Sequence, residues 1–132
     1  MKRAIPLLLS LFMVAPPGLA QDVIEGQDTF IQYCSNCHGL SGRGNGPMAA
    51  VLTLLPSDLT QLSRKNGGVF PRNRVIARID GRDPMVAHGS PMPVFGPFFE
   101  GKGIAIRDEG GVLVMTSQPI IDVLSWLERI QE

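Results

Sequence analysis

The chain has 132 residues, room for one ordinary domain, with 12 Lys and Arg against 12 Asp and Glu. A formal charge of zero excludes a strongly basic nucleic-acid binder and a highly acidic disordered tail. Hydrophobic residues make up 44 %, enough for a core, while 15 Gly and 11 Pro predict a loop-rich fold and two Cys cannot build a disulfide-dense framework.

In chain order, the first element is a leader. Met1-Lys2-Arg3 is a short basic start, Ala4 to Val14 is apolar, and Ala15-Pro16-Pro17-Gly18-Leu19-Ala20 ends in small residues. This pattern predicts a secretory signal peptide over 1–20, cleaved after Ala20. The run is short for a membrane span and no second run of spanning length follows, so no stable membrane anchor is expected, an uncleaved N-terminal anchor being the alternative reading. The mature domain, 21–132, keeps 10 basic and 12 acidic residues, a net charge of −2.

Asp22 with Glu25 three residues later has the form of a capping box, opening a helix that carries Val23, Gly26 and Phe30 on one stripe and runs to about Cys34. Gly42, Gly44 and Gly46 predict a loop. Pro47 can start a short helix that ends before Pro56. Ser57 and Asp58 can cap another short helix, stopped by Asn66-Gly67-Gly68. Pro71 opens a clearer helix with Val75, Ile76 and Ile79 on its apolar side and Gly81 at its end. Pro84 to Pro97 reads as extended loop. Two apolar runs around Asp108-Glu109-Gly110-Gly111 predict a small β-hairpin or a loop near 104–115. The last helix is the best marked: Ser117 as cap, Pro119 in the first turn, then Ile120, Val123, Leu124, Leu127 and Ile130 at helical spacing.

The chemistry concentrates in Cys34-Ser35-Asn36-Cys37-His38. Two thiols three residues apart can each add across a haem vinyl group, and the adjoining imidazole is then held beside the iron. The pattern C-x-x-C-H reads as a c-type haem attachment site. An export signal agrees with it, because bacterial c-type haem is attached outside the cytoplasmic membrane; the expected location is the periplasm. A thiol redox site expects a βαβ context that the sequence lacks. A zinc site would need a second Cys pair, and His88 is the only other His. A plain disulfide would leave His38 unexplained.

On these residues the chain resembles the class I c-type cytochromes, the monohaem cytochrome c family. Gly26 and Phe30 stand before Cys34 as the family's Gly and aromatic residue do, and Val123 with Trp126 match its last-helix pair. Gly89-Ser90-Pro91-Met92-Pro93-Val94-Phe95-Gly96 is similar to the family's Met-Pro loop, and Gly46-Pro47 to its Gly-Pro. The resemblance implies an all-α fold of four to five helices packed around one haem c, covalent through Cys34 and Cys37. His38 and Met92 would be the iron ligands, with His88 as rival sixth ligand, and the Pro47 carbonyl would accept from the His38 ring. It implies a one-electron carrier rather than an enzyme, a monomer docking transiently on redox proteins, with no nucleic acid as partner. A haem subunit of a larger redox complex, and a haem enzyme or gas sensor with a labile sixth ligand, are the other readings. The segments Pro56-Ser57-Asp58-Leu59-Thr60 and Gly101 to Met115 depart from the family's minimal pattern. Arg64, Lys65, Arg72, Arg74, Arg78 and Arg82 cluster mid-chain and read as a solvated face.

Overall fold

The computed structural model describes residues 22–83, 92–99, 101 and 103–132. The leader over 1–20, Met85 and His88 lie outside the described residues. Helix α1 spans Val23–Tyr33 and α2 Ser35–His38. Single 3-10 turns follow at Ala49–Val51 and Leu59–Gln61, the second running into α3, Leu62–Lys65. Helix α4 is Arg72–Asp80; strands β1, Gly103–Arg107, and β2, Leu113–Ser117, precede α5, Gln118–Arg129.

Local chemistry explains most boundaries. The Asp22 carboxylate caps α1, accepting from the N–H of Ile24 at 2.9 Å and of Glu25 at 3.2 Å. The reciprocal half of the capping box is replaced. The Asp22 N–H donates to Asp122 Oδ1 at 3.0 Å, a bond to the far end of the chain. Helix α4 stops where Gly81 takes φ +88°, its N–H donating to Ala77 O. Pro47 yields only the 3-10 turn, because Leu52 already turns extended at φ −88°, ψ 136° on the way to Pro56. Ser117 precedes α5 without capping it; its hydroxyl is buried and makes no hydrogen bond.

The two terminal helices cross at Gly26. A Cβ built there would fall inside van der Waals contact of Asp122 O and lie 2.9 Å from Val123 N, so only a residue without a side chain lets α1 approach α5 this closely. Four residues along, the Phe30 and Trp126 rings lie 4.2 Å apart. Val75, Ile76 and Ile79 of α4, Val114 of β2, Phe99, and Ile120, Val123, Leu124 and Leu127 of α5 complete one buried cluster with them. Helices α4 and α5 are also joined at the surface by Arg72 and Glu128.

The expectation of an all-α, cytochrome c-like fold is corrected. Strands β1 and β2 pair antiparallel in register from Gly103↔Ser117 to Arg107↔Leu113, so the chain combines five α-helices with a two-stranded sheet among its described residues, and a cytochrome fold is not shown. The reason is local. Ile104, Ile106, Val114 and Thr116 alternate inward while Ala105, Leu113 and Met115 face solvent. Asp108 closes the turn, its Oδ1 accepting from Gly110 N at 2.9 Å and Val112 N at 2.8 Å.

Candidate functional site

Cys34 ends α1 as its C-cap, its N–H donating to Phe30 O, and at the same time precedes α2. Helix α2 is a single turn that carries Cys37 and finishes at His38, so the two thiols and the imidazole share about one helical turn. Both cysteines are free and half-buried. Burial pushes the Cys34 thiol up to about 12, with the neighbouring Cys37 adding to the effect. A shift of that direction keeps the Cys34 thiol protonated at neutral pH. Among the described residues no group of three or more His, Cys, Asp and Glu comes together to hold a bare metal ion.

The His38 ring is oriented by a carbonyl. Its Nδ1 lies 3.1 Å from Ser57 O. A carbonyl can only accept, so Nδ1 carries the proton and Nε2 keeps the lone pair. Burial lowers the imidazole pKa, and the Ser57 bond opposes this only in part. The ring is therefore neutral, as a metal ligand must be. Phe30 stands behind it, ring centroids 6.5 Å apart.

The resemblance gives this role to the Pro47 carbonyl; the carbonyl that His38 Nδ1 meets in the structure is that of Ser57. Pro47 follows Gly46, which packs on the carbonyls of Ser35 and Asn36, and precedes Met48, whose N–H donates to Asn36 O at 2.9 Å. That stretch is occupied with α2 at Asn36, and Pro47 lines an open hollow of about 500 Å3 with Ser35, Asn36 and Leu40. Sequence reasoning missed Ser57. The signal was Pro56-Ser57-Asp58-Leu59-Thr60, which stood out as a departure without a role.

Segment 48–57 is thus tied to α2 at both ends, through Met48 to Asn36 and through Ser57 to His38. Between these ties Val51, Leu54 and Leu55 are 72 %, 62 % and 79 % exposed. These three side chains give the loop an apolar, exposed surface between its two ties to α2. Cys34, Cys37 and the Nε2 of His38 are the groups on this turn that can hold a prosthetic group.

Met92 is half-buried and packs, like Cys34, against the main core cluster. The residues after it reach the end of α1. Phe98 and Phe99 meet Tyr33, the residue before Cys34, at centroid distances of 5.0 and 5.4 Å, and Phe95 stacks on Phe99 at 5.5 Å. Phe95 N–H donates to Ile79 O at 2.8 Å, fixing the segment to α4 as well. The mid-chain basic cluster is partly neutralised: Arg72 pairs with Glu128, Arg78 with Asp83 at 3.1 Å, and Arg82 with Asp80. Among the described residues no helix is long and apolar enough to cross a membrane. No protein-family model, curated protein or solved structure matches the chain.

Proposed function

We propose that the protein is an exported, periplasmic one-electron carrier holding a single haem c. Cys34 and Cys37 would hold it by thioether bonds, and His38 Nε2 would ligate its iron. The observation that carries the reading is the placement of two free thiols and an imidazole with its Nε2 lone pair unprotonated on one helical turn. Bound there, the group supplies an iron that takes up and gives back one electron. The chain does the rest. Ser57 fixes the ring orientation and makes the imidazole a stronger donor. Val51, Leu54 and Leu55, exposed on the loop tied to α2 at both ends, offer apolar surface that a bound haem would cover. Met92 is the proposed sixth ligand. It sits on a segment that the Tyr33, Phe95, Phe98 and Phe99 rings hold to the end of α1. Two protein ligands leave no open position for a substrate, so the reading is a carrier rather than an enzyme, working by transient docking on redox proteins.

The test is the covalent bond. Haem should stay with the polypeptide after denaturation in acid and organic solvent; recovery of all of it in the solvent phase sinks the reading. A second reading, a haem subunit of a larger redox complex, draws on the outer face of the hairpin, where Val112, Leu113 and Met115 are 61 %, 60 % and 54 % exposed.

A further inference from the structure

The His38 ring is gripped by a closed circuit of backbone. The N–H of Gly44 donates to His38 O at 2.8 Å. Gly44, at φ +77°, lies so close to Pro56 that a Cβ there would clash with the Pro56 carbonyl oxygen. The next carbonyl, that of Ser57, accepts from His38 Nδ1. The residue after it, Asp58, has φ −71° and ψ 110°, and its side chain locks that conformation. Asp58 Oδ1 accepts from the N–H of Thr60 at 2.9 Å and from its hydroxyl at 2.6 Å, and Thr60 is buried. The N–H of Leu59 donates to Gly42 O at 2.7 Å, closing the turn on the glycine loop.

We infer that Asp58 is the positioning residue of His38: by capping Thr60 it fixes the Ser57 peptide plane, whose carbonyl keeps the ring proton on Nδ1 and the ligating lone pair on Nε2. The inference deepens the haem reading and rests on it for its functional meaning, but its geometry belongs to the polypeptide. Carbonyl direction follows from the backbone angles on either side of the peptide. A carboxylate cap on those angles therefore acts on the imidazole without touching it. Stronger acceptance at Nδ1 makes the imidazole more basic toward a metal. Relaxing the cap should weaken that donation and raise the potential of a bound iron.

The experiment follows the Nδ1–H proton of His38 by NMR in the exported protein, labelled with 15N-histidine, in whatever loading it is isolated. The wild type should show a slowly exchanging proton on Nδ1. Asp58→Ala should speed its exchange roughly fivefold, the factor expected for a lost cap. Asp58→Asn, whose amide oxygen can still accept from Thr60, should restore the slow rate. In haem-loaded protein the potential should rise in Asp58→Ala and return in Asp58→Asn. If Asp58→Ala fails to fold, Thr60→Val, which removes only the hydroxyl bond to the carboxylate, should give an intermediate rate. Exchange unchanged in the variants, or the proton on Nε2 in the unloaded protein, overturns the inference. If no haem is attached the proposed function fails, while the exchange rates still decide the role of Asp58.

Discussion

Asp58 also titrates in a way that makes its role measurable. The hydroxyl bond from Thr60 holds its carboxyl below the usual range; the Thr60 N–H and the charges of Arg43 and Lys65 add to this, while burial opposes it. The folded chain thus binds this proton less readily than the unfolded chain does. The stabilisation is complete above the unfolded carboxyl pKa and is lost as pH falls through the folded one. Between about pH 6 and pH 3 the wild type should lose more of its urea midpoint than Asp58→Asn, which has nothing to protonate there. Equal losses would show that the Thr60 bonds do not favour the charged carboxylate. At Met92 two effects separate. The half-buried side chain packs on the core, so Met92→Ala should cost about 1–2 kcal/mol, less than a fully buried Met. In haem-loaded protein it should also abolish the weak far-red band of thioether ligation and lower the potential, while His88→Ala leaves both in place. The opposite pattern would make the sixth ligand His88. The thiols and His38 were legible in the sequence because their chemistry lies within five consecutive residues. The acceptor for the imidazole was not, because Ser57 and His38 are 19 residues apart and only the folded loop decides which carbonyl arrives.

Elements were read best where one residue type decides the backbone. Asp22 starts α1, Gly81 ends α4 in the left-handed region, and Pro119 sits in the first turn of α5, all as their local chemistry dictates. Reading failed where tertiary partners chose. The amide of Asp22 went to Asp122 instead of Glu25, and no residue inside α1 could announce that. The hairpin was ambiguous because Gly103 and the Asp108–Gly111 turn interrupt its apolar runs; the Asp108 side chain resolves it by bonding two amides across the turn. The crossing of α1 and α5 gives the sharpest element-scale expectation. Gly26→Leu should lower stability by about 1–3 kcal/mol through overpacking against Asp122 and Val123. An unfolding midpoint equal to that of the wild type would show that the helices do not cross there.

At the scale of the molecule, the α1–α5 pair forms a clamp on which the remaining elements lean. Helix α4 packs on α5, the hairpin covers one side of the core through Val114, and the segment after Met92 joins α4 to α1 through its aromatic rings. The site stands at one end of this clamp, while the hairpin's outer face exposes Leu113 and Met115. Gel filtration of the exported protein should give a monomer. Co-elution with a fixed stoichiometry of a second redox protein would favour the complex-subunit reading, and Leu113→Lys should then release it.

The bond from Asp22 to Asp122 joins residues 100 positions apart, and it belongs to the same crossing that buries Gly26 and Phe30. Contacts of such separation form late, because the whole intervening loop must close before they repay its entropy. A chain delivered N-terminus first would present Cys34 and Cys37 to its surroundings long before α5, whose core cluster Cys34 packs against, had arrived. Maturation and folding are then ordered in time by topology. A covalent change at the two thiols has its widest window while the C-terminal helix is still missing, and the docking of that helix narrows it at Cys34.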